Sequence, residues 1–234
     1  MTDFFSSQLS KWPLACKNHE TLSRVLSRKM EIPGFGCPVV IQHNPARIRS
    51  TAAPTDAASI KRRPCFLCPE NRPAEQKTLP LTDGWELLVN PFPILSTHFT
   101  IPSVKHEPQR IRDYYGEIHK LLDEYPEMMV FYNGPQCGAS APDHMHFQAG
   151  SRGVVPLERN WTELYRFNRS RIYPIAEEEY IEASRLESFT DSMGIYSLKG
   201  YVCPAFIIIS RTAEANAVLF RKIYDAMAVP EGAP

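Results

Sequence analysis

The hydrophobic pattern is densest in the middle of the chain, between residues 85 and 150. Apolar residues there form short runs bounded by proline, glycine or asparagine, which is typical of β-strands. A longer stretch, 108–124, begins with a proline and repeats apolar residues at helical spacing instead. The pattern therefore predicts one continuous unit with a single helix, 108–124, and strands at 85–90, 98–102, 128–133 and 143–148.

The flanking segments have a weaker pattern, which predicts a helix at 18–32, a strand at 37–42 and a polar loop at 50–59. After residue 152 we expect a helix at 177–189, strands at 195–198 and 201–210, and a closing helix at 213–227. Short connections between sequential strands favour an α+β fold, a mainly antiparallel sheet with helices packed on one face. The predicted domains are a helical extension (1–43), the core (44–152) and an α/β portion completing the domain (153–234), whose last residues resemble a linker.

The stretch 143–148 alternates polar and apolar side chains from His144 onward. As a strand, it would place His144, His146 and Gln148 on one face and the apolar residues between them on the other. Two imidazoles and an amide in a row can bind a metal, attack an electrophile or hold a phosphoryl oxygen. The same pattern also fits a polar edge strand, so it does not define a function alone.

Cys65 and Cys68 form a C-x-x-C between Pro64 and Pro69. Such a turn presents two thiolates to one tetrahedral metal ion, which then needs two more ligands from elsewhere. A redox-active pair would instead favour the start of a helix that follows a strand. The other four cysteines stand alone and fit small buried residues.

Three further segments are candidates for binding an anion. Residues 133–142 are mostly small, so backbone N–H groups there can approach a phosphate closely. Arg47 and Arg49 follow the predicted strand at 37–42 and stand two residues apart, on one face. There they fit either a ligand site or a solvated surface. Further arginines stand among aromatic residues and leave the same two alternatives open: Arg159, Arg166, Arg169 and Arg171.

The chain has 234 residues, of which 43% are hydrophobic and 22% charged, an ordinary composition for a soluble globular protein. Its net charge of zero lacks the basic excess of duplex nucleic-acid binders, while single nucleotides remain possible ligands. The N-terminus shows no signal-peptide pattern, and the longest apolar run, 205–209, is too short to span a bilayer. We therefore expect a cytoplasmic protein with no membrane and no nucleic-acid partner.

Taken in order, the motifs C-x-x-C, V-N-P-F-P, K-H, F-Y-N, G-A-S and H-x-H-x-Q resemble the histidine-triad superfamily. They are most similar to the branch that holds galactose-1-phosphate uridylyltransferase, diadenosine tetraphosphate phosphorylase and the GDP-hexose phosphorylases. The resemblance covers residues 44–150. It implies a histidine-triad-like fold and a covalent nucleotidyl-histidine intermediate.

By this resemblance His146 is the nucleophile that attacks the α-phosphorus of a nucleotide, and Gln148 and Ser140 complete the catalytic group. A structural zinc is implied on Cys65, Cys68, His144 and one upstream histidine. The K-H pair puts that ligand at His106, with His98 as the alternative. The implied substrate-binding residues are Arg47, Asn90, Asn133 and Gly138.

Gln148 also bears on the type of reaction. The related hydrolases have a third histidine at this position, which can exchange protons with water, whereas an amide can only hydrogen-bond. The expected function is therefore a nucleotidyltransferase or nucleotide phosphorylase acting on a nucleoside diphosphate sugar or a dinucleoside polyphosphate. Phosphate or a sugar phosphate is the expected acceptor, and a homodimer is one option. The alternatives are a nucleoside-phosphate hydrolase and a catalytically silent, zinc-stabilised nucleotide-binding module.

Overall fold

The computed structural model describes residues 1–33, 38–48, 54–135, 137–160, 172–174, 194–198 and 205–227. These residues belong to two units. The first comprises Met1–Ser27, Gln42–Ile111 and Leu121–Val154, and the second comprises Arg28–Ile41, Arg112–Lys120 and Val155–Pro234. Within the described ranges, no helix has the length and apolar character that a membrane crossing requires.

The first two thirds of the chain contain both helices and strands. The helices are α1 (Thr2–Lys11), α2 (Pro13–Leu22), α3 (Ala57–Arg62) and α4 (Ile111–Glu124). The strands are β1 (Leu26–Met30), β2 (Val39–His43), β3 (Leu79–Pro80), β4 (Glu86–Val89), β5 (His98–Pro102), β6 (Met128–Phe131) and β7 (His146–Ser151). Single 3-10 turns lie at Pro45–Arg47, Pro69–Asn71 and Thr82–Gly84.

The first unit is built on a five-stranded sheet with strand order β3-β4-β5-β7-β6. All its strand pairs are antiparallel, and β7 lies between β5 and β6. The register puts Gln148 opposite both Thr100 of β5 and Phe131 of β6. The α+β class with antiparallel sheets is thus confirmed, and the histidine-bearing strand β7 is an internal strand of its sheet, not an edge strand.

The apolar side of β7 lies in the core, as the alternation predicts. Phe147 and Ala149 are fully buried, as is Met145 just before the strand, and the Phe147 ring packs against that of Trp85 at a centroid distance of 4.9 Å. Burial of such side chains supplies most of the driving force for the fold, about 1.5–3 kcal/mol for each large one. The core therefore holds β7 from one face and leaves its polar face for the site.

The N-terminal helices are bound to the sheet. The Phe5 ring meets the Phe99 ring edge-on at 5.4 Å, and the buried Gln8 amide donates to the carbonyl of Glu75 at 2.7 Å. The Asn18 amide of α2 donates to the carbonyl of Pro91 at 2.7 Å. The Asn18 contact holds the turn that follows β4, whereas the Phe5 contact packs α1 on β5.

The second unit contains α5 (Pro156–Arg159), β8 (Ile172–Pro174), β9 (Gly194–Leu198), β10 (Ala205–Ile209) and α6 (Ala213–Ala226). Its strands form an antiparallel sheet of order β10-β9-β8. The Tyr115 ring stacks on Phe220 at 3.8 Å, and its hydroxyl donates to Asn216 at 2.7 Å. The Thr212 side chain caps α6 by accepting a hydrogen bond from the Ala215 amide.

Three local predictions are wrong. The helix expected at 18–32 ends at Leu22, and Leu26–Met30 is a strand that pairs with β2, because sheet pairing overrides helix propensity there. The loop expected at 50–59 contains the start of α3, which the Asp56 carboxylate caps by accepting from the Ser59 amide. His144 lies outside β7, in a turn where its amide donates to the Ala141 carbonyl.

Several predictions fall wholly or partly on residues that lie outside the described ranges. The helix expected at 177–189 is among them, as are Arg49, Arg166, Arg169, Arg171 and the end of the chain. The strand expected at 201–210 is described only from Ala205 onward.

Candidate metal centre and adjoining histidine site

Four side chains in the first unit converge as a candidate metal site. One donor atom from each of Cys65, Cys68, His106 and His144 lies within 4.8 Å of all the others. The His144 Nδ1 atom is 3.3 Å from the Cys65 sulfur and 3.6 Å from the Cys68 sulfur, and the His106 Nδ1 atom is 3.2 Å from the latter. Both cysteines and His144 are buried, whereas His106 is exposed. These four groups are close enough to hold one metal ion.

The C-x-x-C turn is preorganised by its own hydrogen bonds. The Cys68 amide donates to the Cys65 carbonyl at 3.2 Å, and the Asn71 side chain donates to the same carbonyl at 2.9 Å. Pro69 begins the 3-10 turn that follows and ends the extended segment. The turn thus directs both cysteine sulfurs toward the same side, as binding of one metal ion requires.

The histidine ligands have supporting contacts of the kind found around metals. The Nε2–H of His144 donates to the Ser103 carbonyl at 2.8 Å, which leaves the Nδ1 lone pair facing the two sulfurs. Nε2 of His106 lies 3.7 Å from the Asp143 carboxylate. Burial lowers the pKa of His144, so this imidazole is held in the neutral form that binds metals.

His98, the alternative ligand, is placed elsewhere. It is fully buried in β5, where its Nδ1 accepts a hydrogen bond from the Ile94 amide at 3.2 Å. Its Nε2 is 2.9 Å from Oε1 of Gln148. Burial lowers the pKa of His98 to about 4, so the ring is neutral near pH 7. The structure thus brings His106, and not His98, to the cysteines.

His146 begins β7 and is almost fully buried. Its Nδ1 is 2.8 Å from the His144 carbonyl, so Nδ1 carries the proton and Nε2 keeps the lone pair. Within the described part of the chain, Nε2 makes no hydrogen bond to protein. Burial lowers the pKa of His146 to about 4, and the ring is therefore neutral near pH 7. A neutral imidazole with a fixed tautomer and an unpaired Nε2 can act as a nucleophile.

Gln109, which the sequence reasoning missed, holds the backbone of His146. Its Oε1 accepts from the His146 amide at 2.7 Å, while its Nε2 donates to the carbonyls of His146 and Asn133, both at 3.0 Å. The side chain is 1% exposed, and its two bonds to His146 are buried, whereas its bond to Asn133 is partly buried. A single glutamine outside every motif carries no sequence signal for this role.

The small-residue loop before His144 is anchored to the metal turn. Arg63 donates to the Ser140 carbonyl at 2.7 Å and lies 3.5 Å from the Asp143 carboxylate. Gly138 has a positive φ of 93°, a conformation that favours glycine. Arg63 and Asp143 were not predicted, although both stand within two residues of a predicted ligand.

The structure describes all four of the predicted substrate-binding residues. Asn133 contributes its carbonyl to the Gln109 contact, and Gly138 is exposed in the loop. Both groups of the Asn90 amide already bond to protein, namely to Thr100 and to the Phe92 amide. Arg47 is half-buried, and its charge contributes to the lowered pKa of His98. Their roles toward a ligand stay predictions.

A family model described as "Domain of unknown function (DUF4922)" matches residues 4–151. The matched region includes most of α1, all of α2, the candidate metal cluster and β7. No curated protein and no solved structure matches the chain.

Proposed function

Since the chain belongs to the DUF4922 family, whose description names no activity, we propose a function from the site itself. The proposal is a nucleotidyltransferase or nucleotide phosphorylase that forms a covalent nucleotidyl-histidine on His146. The observation that carries it is the fixed tautomer of His146, whose Nδ1–H is bonded to the His144 carbonyl while Nε2 lacks a protein partner among the described residues. The histidine-triad resemblance of the motif order supports the same assignment.

In the first step, the Nε2 lone pair of His146 attacks the α-phosphorus of the substrate. The bond from that phosphorus to the bridging oxygen breaks, and a sugar phosphate or nucleotide leaves with the electron pair. Positive charge on the nucleotidylated ring is stabilised by the Nδ1–H bond to the His144 carbonyl. In the second step, a phosphate or sugar-phosphate oxygen attacks the same phosphorus and restores the neutral imidazole.

Gln148 and the small-residue loop have stabilising roles in this scheme. Negative charge on the phosphoryl oxygens needs hydrogen-bond donors, and removing one such donor typically slows a reaction by about 10²–10³. Gln148 follows His146 by two residues on β7, so the two side chains share a face about 7 Å apart along the strand. An amide cannot accept a proton from an attacking water or give one to the leaving group, which favours transfer over hydrolysis.

We assign the four-residue cluster to zinc. Two thiolates and two imidazoles are a donor set that zinc prefers, and four protein ligands leave no open position for a substrate. Zinc bound there supplies structural stabilisation and no step of the reaction. Cys65, Cys68, His106 and His144 would hold it, and His144 would thereby fix the chain two residues before the nucleophile.

The test is intact-protein mass spectrometry after mixing with nucleoside diphosphate sugars and dinucleoside polyphosphates, without acceptor. We expect a nucleotide-sized mass gain that disappears when phosphate is added and is absent in His146→Gly. His119→Ala, which removes a histidine of the second unit, serves as a control and should still be labelled. Tight nucleotide binding without any mass gain would refute the transferase and favour the silent binding module. Rapid turnover in water without an acceptor would favour the hydrolase.

A further inference from the structure

We infer that His98 is a positioning residue that turns the Gln148 amide so that its NH₂ group faces the phosphoryl group at His146. This inference rests on the proposed function, because it specifies how one donor of that site is oriented. It starts from two hydrogen bonds, one on each nitrogen of the His98 ring.

The first bond fixes the tautomer of His98. The Ile94 amide is a backbone donor, and its nitrogen lies 3.2 Å from Nδ1 of His98. Nδ1 must therefore present a lone pair, and the proton of the neutral ring is on Nε2. A doubly protonated ring would point a second N–H at the Ile94 donor.

The second bond then fixes the orientation of Gln148. Nε2–H of His98 needs an acceptor, and the Gln148 carboxamide lies 2.9 Å away. Only Oε1 can accept, since the opposite orientation would put an NH₂ group against an N–H group. A buried donor left without an acceptor costs about 1–3 kcal/mol, enough to select one orientation. The NH₂ group of Gln148 is consequently directed away from His98.

The His98 ring is held in place by its surroundings. It is fully buried in β5, and it stacks on the Phe131 ring of β6 at 6.0 Å. Phe131 is itself the β6 partner of Gln148 in the sheet register. Gln148 is thus surrounded by the two strands that neighbour β7, so the orientation is set by sheet packing as well as by the hydrogen bond.

The NH₂ group of Gln148 remains available to a ligand. Within the described residues it donates to no protein acceptor, and Gln148 is only partly buried. Because side chains two residues apart share a face of a strand, this NH₂ lies on the same side of β7 as His146. A phosphoryl oxygen carried to His146 would find a donor there, whereas a flipped amide would offer an oxygen and repel the phosphate.

Two measurements test the inference. The first is ¹⁵N NMR of the histidine side chains, in which His98 should be the Nε2–H tautomer in the protein without nucleotide. The second is a double-mutant cycle with His98→Phe, which removes both ring nitrogens, and Gln148→Met, which keeps side-chain length without the amide. The cycle is measured on the rate of His146 labelling and, separately, on the affinity for inorganic pyrophosphate.

If His98 acts through Gln148, His98→Phe should slow labelling by about tenfold or more in the wild type but by less than about twofold in Gln148→Met. A purely structural role would give the same loss in both backgrounds. Ile101→Ala provides the matched control, since Ile101 is a buried β5 residue paired with Phe147 rather than Gln148. Its effect should be equal in the two backgrounds.

The outcomes separate this inference from the proposed function. Suppose that the wild type is labelled and that the losses of labelling rate from His98→Phe and Gln148→Met multiply in the double variant. This result would overturn the positioning role and leave the transferase intact. Absence of labelling in the wild type would refute the transferase, and the pyrophosphate cycle would then decide the orientation. Coupled losses of pyrophosphate affinity would support it, while independent losses or no binding would overturn it. An Nδ1–H tautomer of His98 would overturn it in every case.

Discussion

Replacing Gln109 by leucine gives the most direct test of how the site is held. This side chain replaces a strand partner for His146, since it pairs with both the amide and the carbonyl of that residue. Leucine has a similar volume but no polar atoms. The substitution therefore removes three hydrogen bonds while leaving the packing of the surrounding core nearly unchanged.

The magnitude follows from the groups left behind. The amide and carbonyl of His146, both buried, and the partly buried carbonyl of Asn133 would each lose a partner, and an unsatisfied buried group costs about 1–3 kcal/mol. Partial relaxation and water entry reduce the sum, so we expect a loss of roughly 3–5 kcal/mol in the free energy of unfolding. This is a large share of the about 5–15 kcal/mol by which domains of this size are stable.

Urea denaturation of the zinc-loaded protein measures the effect, with Gln76→Leu as the control. Gln76 belongs to the same unit, and its side-chain amide donates one hydrogen bond, to the Val89 carbonyl at 3.2 Å. Loss of that hydrogen bond should cost about 1 kcal/mol. Zinc content should stay unchanged in Gln109→Leu, because His144 keeps its bond to Ser103. A loss for Gln109→Leu no larger than that for Gln76→Leu would refute the role given to this residue.

Three further predictions concern the metal, the sheet and pH. Metal analysis should find about one zinc per chain. Cys68→Ser should lose this zinc and have a lower melting temperature, whereas Cys16→Ser should retain it. Protein that is purified without chelator and contains no metal would contradict the site. Gly150→Ala should destabilise the fold by about 1–3 kcal/mol in urea denaturation, since a Cβ there would meet the Thr97 carbonyl at 2.9 Å. A Gly150→Ala protein as stable as the wild type would show that β5 and β7 can separate. Because the folded pKa of His98 is about 4, below its ordinary 6.5, the unfolded state binds the extra proton and stability should fall as pH drops between these values. In His98→Phe the slope of the unfolding free energy against pH should fall by about one proton. Identical slopes in His98→Phe and the wild type would mean that His98 is charged in the folded protein.

The parts of the site that could be predicted are those encoded by local spacing. The C-x-x-C at Cys65 and Cys68 defines half of a metal site because both sulfurs come from one turn. The alternation around Phe147 defines a buried face because strand geometry alone dictates it. His106 was favoured through a resemblance between motifs, and its place beside Cys68 depends on the path of the chain after β5.

The parts that could not be predicted depend on pairs distant in sequence. His98 and Gln148 are separated by 50 residues, and nothing in either segment indicates that their side chains meet. Gln109 is separated from His146 by 37 residues and belongs to no motif. The error at β1 has the same origin, since Leu26–Met30 becomes a strand only because β2 is available to pair with it. Local patterns specify which residues are polar, whereas the tertiary fold specifies their partners.

The segment between β5 and α4 links the proposed metal to the proposed nucleophile. Ser103 fixes the His144 ring through its carbonyl, and its amide donates to the Met145 carbonyl at 2.9 Å. Six residues later Gln109 fixes the backbone of His146, so successive residues of the histidine segment are all held by one short stretch. The same stretch supplies the ligand His106, and a metal bound there would therefore tie both segments together. Stiffening the segment in this way would restrict where Nε2 of His146 can lie, and a structural ion could affect the reaction rate without contacting the substrate.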